Sequence, residues 1–321
     1  MTRRALVTGG AGFAAQWLER ALLGWGWEVT AAGLGVPPSP SILQDAERRA
    51  IRWVHTDVRR AADIAAALDA SRPEAVFHLA GIAFVPAAAA DPGEAYEVNV
   101  VGAARLLAAI GQRRAAGALD PVVLVVGSGE QYGRHDSSEL PLPESAAQRP
   151  LSVYAASKAA QEVVALQAAR SEGLRVVATR SFNHSGPGQA AHFLLPALVR
   201  RAVEARQNGK AAIPVGNREP IRDYLHVEDV AAAYLALAER GATGDAYNVC
   251  SGEGISVGEL ATTVLQRVGV RADITTDPSL VRPVDLPALV GSPDKLRRAT
   301  GWSPRRTRAD IIDDLINAET R

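Results

Sequence analysis

Apolar and polar positions follow two different periods along the first half of the chain. Short, nearly continuous apolar runs occur at 5–9, 28–33, 51–55, 75–81, 122–128 and 175–181. Longer stretches with helical periodicity lie between them, at 14–26, 61–71, 96–113 and 154–172. Apolar strands that alternate with helices are typical of a parallel sheet covered on both faces. The pattern therefore predicts an α/β fold, a Rossmann-type doubly wound parallel sheet, through about residue 180.

The pattern changes beyond this point. Residues 182–222 are rich in Gly, Pro, Asn and Arg, and no helix or strand is assigned within them. A helix at 227–241, a strand at 246–252, a helix at 257–269 and a short strand at 272–276 follow. We therefore predict a dinucleotide-binding domain at 1–180, to which 223–250 return, and a smaller α/β substrate-binding lobe made of 181–222 and 251–321.

Composition excludes several classes of function. The 321 residues contain 35 basic and 35 acidic side chains, so the chain lacks the charge that nucleic acid or anionic membrane would attract. No apolar run approaches the roughly 20 residues of a membrane span, and glycines interrupt the N-terminus too early for a signal peptide. The single Cys250 excludes an internal disulfide and a cysteine zinc cage. We expect a cytoplasmic protein with no metal site.

A glycine motif follows the first predicted strand. TGGAGFAA (8–15) places Gly9 and Gly12 where backbone N–H groups can approach a pyrophosphate at a helix N-terminus. The alternative is a purely structural turn, but the strand–helix context favours a cofactor site. We assign Gly9, Gly12, Phe13 and Ala14 to dinucleotide binding.

The residues expected near the adenosine do not reveal the cofactor. Strand two ends in Ala32, Gly33 and Leu34, which include neither the acid that favours NAD nor the arginine that favours NADP. Asp57 and Val58 follow strand three as candidate cofactor contacts. Asp57 or Thr56 would equally serve as the N-cap of the next helix.

Further cofactor contacts are predicted where strand four ends. Leu79, Ala80 and Gly81 lie at the carboxyl edge, where open parallel sheets bind ligands, and we add Asn99 from the following helix. His78 could act as a catalytic base, but a buried structural histidine is the more common role for this residue type.

Strand five ends in GSGEQYG (127–133), and the next helix carries Tyr154 and Lys158 four residues apart. An isolated YxxxK is often a surface pair, but here it accompanies a dinucleotide loop and a serine at a strand end. A nearby ammonium favours the phenolate, and a fall of about 3 units in the tyrosine pKa needs roughly 4 kcal/mol. We therefore predict a catalytic triad in which Tyr154 donates a proton and Ser128 binds the substrate oxygen. Lys158 would lower the pKa of Tyr154 and hold the cofactor ribose.

With these motifs in place, the whole chain resembles the extended short-chain dehydrogenase/reductases that act on nucleotide sugars. Four segments carry the closest resemblance, to members that reduce GDP-linked 4-keto-6-deoxyhexoses: SFNHSGPGQ (181–189), VGNREPIRDYLHVEDV (215–230), AYNVCSG (246–252) and 280–302. The resemblance implies NADP(H) or NAD(H) as cofactor and reduction of a C4 ketone. The product would be GDP-D-rhamnose or its C4 epimer, GDP-6-deoxy-D-talose.

The resemblance also implies which residues bind the substrate. Asn183 would contact the diphosphate, and Arg222 and Arg282 would bind phosphate or ribose oxygens, a role that suits a bidentate guanidinium. Asn217 and Asp285 would lie near the nucleoside. From the residues alone, Arg222 would equally form a local ion pair with Asp223, within a loop of structural function.

Glu130 supports an alternative reaction. In the related dehydratases a glutamate at this spot removes a proton from the sugar, and such enzymes and the epimerases keep NAD bound. However, GPGQAAHF (186–193) stands where those dehydratases carry a Pro-Arg-Arg-Gly stretch, and Ser128 replaces their usual threonine. Ala83, where relatives often carry Ser or Thr, leaves the stereochemistry at C4 open.

Two further expectations concern assembly and class. Relatives pair through the helices at 94–113 and 152–171, which implies a homodimer with a four-helix contact. A non-catalytic dinucleotide sensor would need the glycine loop but not the Ser–Tyr–Lys set, so we favour an enzyme.

Overall fold

A computed structural model of the chain describes residues 2–37, 41–281 and 285–320. The strands are β1 Arg4–Thr8, β2 Glu28–Gly33, β3 Arg52–His55, β4 Ala75–His78, β5 Val122–Ser128, β6 Val176–Ser181, β7 Asn183–Ser185, β8 Ala212–Val215, β9 Ile221–His226, β10 Ala246–Val249, β11 Gly254–Ser256, β12 Asp273–Thr276 and β13 Ala288–Leu289. The helices are α1 Phe13–Gly24, α2 Asp45–Ala50, α3 Ala61–Ser71, α4 Val85–Ala90, α5 Pro92–Tyr96, α6 Gly102–Ala115, α7 Val153–Glu172, α8 Leu194–Asn208, α9 Val227–Arg240, α10 Val257–Val268, α11 Asp294–Thr300 and α12 Arg308–Glu319.

Seven strands form one parallel sheet in the order β10-β6-β5-β4-β1-β2-β3. All six strands predicted in the first half of the chain belong to this sheet, so the predicted Rossmann-type sheet is confirmed. The strand order reverses at β1, which pairs with β2 on one side and β4 on the other. Ligands of doubly wound sheets bind outside the carboxyl ends of the strands at such a reversal. The fold therefore places the turns that follow β1 and β4 at a ligand-binding crevice.

Helices cover both faces of this sheet. Along β1, Ala5 and Val7 pack in a hydrophobic cluster with side chains of α1 and α9, whereas Leu6 points to the opposite cluster, formed with α3, α6 and α7. Successive strand residues face opposite sides, so a strand that is apolar throughout is buried on both. This explains why continuous apolar runs identified these strands in the sequence.

A second group of elements lies beyond β6. β9 pairs with β7, β11 and β13, and a separate two-stranded parallel sheet joins β12 to β8. Side chains of α8, α10 and α12 pack into their own hydrophobic cluster, which includes Leu198, Leu260 and Ile312. Between these elements the chain returns to the first group, because α9 packs on α1 and β10 extends the parallel sheet.

The structure contains a helix within 182–222, where the sequence analysis assigned no element. The 15-residue helix α8 occupies the middle of this segment and buries Leu195, Leu198 and Val199. These residues follow helical periodicity, but neighbouring glycines and prolines obscured it. Pro196 lies in the first turn of α8, where a missing N–H costs no intrahelical hydrogen bond.

Helix α1 buries a carboxyl group directly behind the glycine turn. Glu19 is 0% exposed, and neither of its carboxyl oxygens has a hydrogen-bond partner among the described residues. A Cβ added at Gly10 would lie 2.8 Å from Glu19 Oε1, which shows how closely the carboxyl approaches the turn. Burial raises the pKa of Glu19 to about 9, so this carboxyl is protonated at neutral pH.

We expect the Glu19→Gln variant to remove a pH dependence of stability. Between the ordinary pKa near 4.5 and the folded-state value of about 9, the folded chain keeps a proton that the unfolded chain loses. The free energy of unfolding should therefore fall as pH rises through this window, by about 1.4 kcal/mol per pH unit for one proton. Urea unfolding at about pH 6 and about pH 8 measures this slope. An equal slope in the wild type and the glutamine variant would contradict the assignment.

None of the helices in the described parts of the chain combines the length and the apolar composition needed to cross a membrane. Within the same residues, no group of three or more His, Cys, Asp or Glu side chains is arranged to hold a metal ion.

Candidate active site

The glycine turn follows β1 at the carboxyl edge of the parallel sheet. Gly9 adopts a positive φ of 72°, and Gly12 N donates a 2.8 Å hydrogen bond to Gly9 O, which closes the turn. Helix α1 begins at Phe13, and no side chain caps its N-terminus. Its first N–H groups, including those of Phe13 and Ala14, thus form the kind of N-terminus that binds phosphates. A dinucleotide pyrophosphate fits this turn.

Gly9 also sets the distance between the two strand ends. A Cβ at this position would lie 2.8 Å from the backbone N and Cα of Ala80, in the turn after β4. We expect Gly9→Ala to weaken NAD(P)H binding by about 10-fold to 10²-fold, because the added methyl must displace the backbone and strain the positive φ. Fluorescence titration with NADPH and NADH measures the affinity. Gly24→Ala is the matched control, because a Cβ there meets nothing within 4 Å; equal affinities of both variants would contradict this geometry.

Just after β3, Asp57 forms an ion pair with Arg59. The Arg59 guanidinium donates to both carboxylate oxygens at 2.7–3.0 Å and lowers the pKa of Asp57. Helix α3 has Arg60 as its N-cap, so the alternative prediction that Asp57 or Thr56 caps this helix is wrong.

Val58 packs against the start of α6, where a Cβ on Gly102 would lie 2.8 Å from its side chain. Its side chain is therefore part of the packing, and contact between Val58 and the cofactor stays a prediction.

Two predicted cofactor residues, Gly81 and Asn99, lie close to Lys158. Asn99 Oδ1 accepts a 2.8 Å hydrogen bond from Ile82 N, just after the Leu79–Ala80–Gly81 segment, and Asn99 Nδ2 donates to Ser157 Oγ at 2.8 Å. A Cβ at Gly81 would lie 2.9 Å from Asn99 Oδ1 and 3.3 Å from Lys158 Nζ. The glycine thus allows the turn after β4 to lie directly against the lysine.

The predicted triad assembles at the ends of β5 and α7. Ser128 is the last residue of β5 and the N-cap of a short 3₁₀ turn, Gly129–Tyr132. Tyr154 lies in the first turn of α7, which Ser152 caps by accepting a hydrogen bond from Ala155 N at 3.1 Å. The Ser128 side chain lies close enough to the Tyr154 phenol to act on its pKa.

Lys158 faces the sheet one turn further along α7. Its Nζ donates to the Val126 carbonyl at 2.8 Å and to Gln161 Oε1 at 2.9 Å. An ammonium has three N–H donors, so these two contacts leave one for a ligand in the crevice. Burial lowers the pKa of Lys158 to about 8.

The predicted fall in the pKa of Tyr154 is wrong. Burial is the main cause that raises this pKa to about 12; the negative charge of Glu130 contributes to the rise, and the nearby Ser128 hydroxyl opposes it. The lysine does not offset these effects, because its ammonium is directed to Val126 and Gln161. Tyr154 is therefore protonated at neutral pH, and the effect of Glu130 places that carboxylate within electrostatic range of the phenol.

His78 does not act as a base. It is fully buried, its Nδ1 lies 2.8 Å from Thr8 Oγ1, and burial lowers its pKa to about 3. A group of this basicity is too weak to accept a proton efficiently at neutral pH. The structural role favoured by the sequence is the one that this geometry supports.

A buried polar network behind the triad was missed in the sequence. Gln131 Oε1 accepts from Ser128 N at 2.7 Å, and Gln131 Nε2 donates to Glu162 Oε2 at 2.9 Å. Glu162 forms a buried ion pair with Arg180 at 2.7 Å. The signal in the sequence was Glu162 itself, which lies four residues after Lys158 and therefore on the same face of the helix.

The predicted substrate residues lie on the second group of elements. Arg222 Nη2 pairs with Asp285 Oδ1 at 2.5 Å, and Arg222 Nη1 donates to the Leu286 carbonyl at 2.7 Å. Asp223 instead accepts hydrogen bonds from Ser251 and Gly252, so the alternative of an Arg222–Asp223 ion pair is wrong.

The remaining predicted substrate residues are less informative. Asn183 begins β7 and is half-buried, and Asn217 lies in an exposed turn, where its Oδ1 accepts from Glu219 N at 3.1 Å. Arg282 lies outside the described residues.

Comparison with known proteins gives the same overall picture. The model of the GDP-mannose 4,6 dehydratase family matches residues 6–315. GDP-6-deoxy-D-mannose reductase of Pseudomonas aeruginosa is 35% identical over 246 residues, which cover 76% of this chain and 80% of that protein. The solved structure of RMD from Pseudomonas aeruginosa complexed with NADPH superposes with a TM-score of 0.82 at 30% identity and covers 98% of both chains. The UDP-glucose 4-epimerase of Thermus thermophilus, complexed with NAD, superposes with a TM-score of 0.85 at 29% identity and covers 99% of both chains.

Proposed function

The chain belongs to the GDP-mannose 4,6-dehydratase family of extended short-chain dehydrogenase/reductases, and from this premise we propose that it reduces the C4 ketone of GDP-4-keto-6-deoxy-D-mannose. The product is GDP-D-rhamnose or its C4 epimer, GDP-6-deoxy-D-talose. NADPH or NADH is the cofactor, as in the NADPH and NAD complexes of similar structures. The observation that carries the proposal is Tyr154, a phenol that stays protonated at neutral pH and lies beside Ser128 at the carboxyl edge of the sheet.

Tyr154, Ser128 and Lys158 have different roles in the proposed reaction. When bound, the nicotinamide ring supplies a hydride to the ketone carbon. The Tyr154 hydroxyl donates its proton to the ketone oxygen, so that the carbonyl becomes an alcohol, and the Ser128 hydroxyl hydrogen-bonds the same oxygen. The third N–H of Lys158 holds the cofactor ribose.

The raised pKa of Tyr154 suits reduction. A reductase needs this group in its acid form, and a pKa of about 12 keeps the phenol protonated at neutral pH. The oxygen that receives the proton becomes an alkoxide as the hydride arrives, and an alkoxide is more basic than a phenolate. The proton transfer therefore stays downhill despite the raised pKa.

The second group of elements is the proposed nucleotide-sugar lobe, made of 181–222 and 251–321, with the parallel sheet and 223–250 as the cofactor domain. Asn183 and Arg222 are its proposed diphosphate contacts. The Arg222–Asp285 pair fixes the guanidinium at the start of β9, with the Arg222 side chain only 14% exposed. A guanidinium positioned in this way loses little conformational entropy when it binds an anion.

A second candidate function is dehydration or epimerisation with a permanently bound NAD. The position of Glu130 favours it, because its charge acts on Tyr154 and it would serve as the base that removes a sugar proton. An absorbance spectrum of the purified protein separates the two functions. Stoichiometric cofactor that survives purification, with no net NAD(P)H consumption, favours this candidate.

The deciding assay incubates the protein with GDP-4-keto-6-deoxy-D-mannose and each reduced cofactor in turn. The proposal predicts oxidation of NADPH or NADH in equal amount to the sugar converted, and NMR of the product identifies the C4 configuration. Conversion without cofactor oxidation, or no conversion with either cofactor, would falsify the proposed reduction.

We also infer a cytoplasmic homodimer, paired through α6 and α7. Val163, at the middle of α7, is 66% exposed, which is unusual for a large apolar side chain on a helix rich in alanine. Light scattering should give twice the 33.8 kDa mass of one chain. A mass equal to one chain would contradict the pairing.

A further inference from the structure

Behind the triad, three buried side chains from three elements share one hydrogen-bond network. They are Gln131 in the turn after β5, Glu162 on α7 and Arg180 on β6, and each is at most 6% exposed. We propose that these three residues position Ser128 against Tyr154 and thereby set the geometry of proton donation. The proposal rests on the proposed function only in requiring that Ser128 and Tyr154 handle the reacting oxygen.

The first link joins Gln131 to the catalytic serine. Its Oε1 accepts the Ser128 backbone N–H at 2.7 Å, and the Ser128 Oγ accepts from Glu130 N at 3.2 Å. The 3₁₀ turn is thus closed from both ends, by the serine hydroxyl and by the glutamine amide. The Gln131 side chain also packs tightly against the strand, because a Cβ at Gly127 would lie 2.5 Å from Gln131 Oε1. Gln131 therefore fixes the backbone from which the Ser128 hydroxyl extends.

The second link joins Gln131 to the helix that carries Tyr154. The Gln131 amide donates to Glu162 Oε2 at 2.9 Å, and Gln148 donates to Glu162 Oε1 at 2.7 Å. Glu162 lies eight residues after Tyr154 on α7, so the helix is a rigid connection between the carboxylate and the phenol. The side-chain amide of Gln131 thus links the backbone of Ser128 to the helix that carries Tyr154.

The third link fixes this carboxylate to the sheet. Arg180 donates to both Glu162 oxygens, from Nε at 2.9 Å and from Nη2 at 2.7 Å, and its Nη1 donates to Tyr132 Oη at 2.8 Å. Bidentate pairs of this kind constrain direction as well as distance. Although burial opposes ionisation, the hydrogen bonds from Arg180 and the two glutamines keep the pKa of Glu162 below its ordinary value.

We assign this network a role in positioning because stability alone does not account for it. A buried ion pair is weak evidence for stability, because its desolvation cost approaches its Coulombic gain. What such a pair does supply is one defined arrangement of the groups around it. Here the network fixes the backbone of Ser128 and the helix of Tyr154, the two residues proposed to contact the reacting oxygen. Misplacement of such a group by about 1 Å costs about 10²-fold in rate.

The test is a double-mutant cycle between Gln131→Met and Ser128→Ala. Methionine keeps the size of glutamine but removes its hydrogen bonds to Ser128, Gln148 and Glu162. We therefore expect kcat to fall about 10-fold to 10²-fold while the KM for cofactor changes little. If Gln131 acts through Ser128, the same substitution in the Ser128→Ala background should have almost no further effect on kcat. Glu162→Gln, which keeps the shape and removes the charge, should behave in the same way.

Leu68→Ala is the matched control, because Leu68 is fully buried in α3, away from the triad, and its truncation lowers stability alone. Two results would overturn the proposal. One is a kcat of the double variant that falls by the product of the two single losses. The other is a loss of kcat in Gln131→Met that is no larger than the loss in Leu68→Ala when both variants are equally destabilised.

A crystal structure of Gln131→Met provides a readout that does not depend on activity. We expect the Ser128 hydroxyl to move away from the Tyr154 phenol and the turn after β5 to shift; an unchanged turn overturns the proposal. A failure of the proposed function is a different result, namely wild-type protein that does not convert the keto sugar, and the crystal structure then still decides the positional claim.

Discussion

Replacing Tyr154 with phenylalanine should reduce kcat by about 10²-fold to 10⁴-fold, the range that a positioned general acid contributes. The substitution removes only the hydroxyl, so the proton for the forming alcohol must come from water. The phenyl ring keeps its packing, and the glycine turn and Lys158 remain, so the affinity for NADPH should stay within a few fold of the wild type. Steady-state kinetics with the keto sugar and a separate cofactor titration measure the two effects.

Tyr96→Phe is the matched control, since it removes the same hydroxyl from a tyrosine that is 39% exposed at the end of α5. It should leave kcat unchanged. If Tyr154→Phe retained wild-type turnover, Tyr154 would not be the acid. If it abolished turnover but left the biological effect intact, the chain would act as a dinucleotide sensor instead.

Lys158→Met should reduce kcat/KM by about 10²-fold, the cost of misplacing a reacting group by about 1 Å, because the cofactor loses its proposed ribose contact. Unlike Tyr154→Phe, it should also raise the KM for cofactor, because the lysine supplies the proposed ribose contact. The variant should fold. Burial lowers the pKa of Lys158 to about 8, which shows that the folded chain disfavours this charge.

Lys210→Met is the control for loss of a positive charge, because Lys210 lies after α8 and is exposed. Kinetics should not distinguish it from the wild type. A cofactor KM that is unchanged in Lys158→Met would show that the lysine does not hold the ribose, whatever happens to kcat.

The parallel sheet was readable from the sequence because each of its strands is apolar on both faces, as the paired burial of Leu6 and Val7 on β1 shows. Sequence reasoning failed where local signals conflicted with packing. Helix α8 was missed because Pro196 and the surrounding glycines suggested a loop. The structure shows the buried face of this helix, because Leu198 and Val199 pack in one cluster with side chains of α10 and α12.

The catalytic residues were predictable for a similar reason. Ser128, Tyr154 and Lys158 belong to short motifs at recognisable strand and helix ends, so local spacing was sufficient. The Gln131–Glu162–Arg180 network joins residues 18 and 31 positions apart on different elements, and no local period records such contacts. The pKa of Tyr154 was mispredicted because the spacing shows that Lys158 is on the same helix face but shows neither the burial of the phenol nor the direction of the ammonium.

The most direct test of the reductive assignment follows a labelled hydride. The keto sugar is incubated with the protein and NADPH that carries deuterium at C4 of the nicotinamide, and NMR then examines the recovered sugar nucleotide. The account predicts one deuterium at the sugar C4, one cofactor oxidised per sugar, and loss of both in Tyr154→Phe. A product without deuterium, formed while the cofactor pool stays reduced, would contradict it and assign the chain to the family members that return the hydride they borrow.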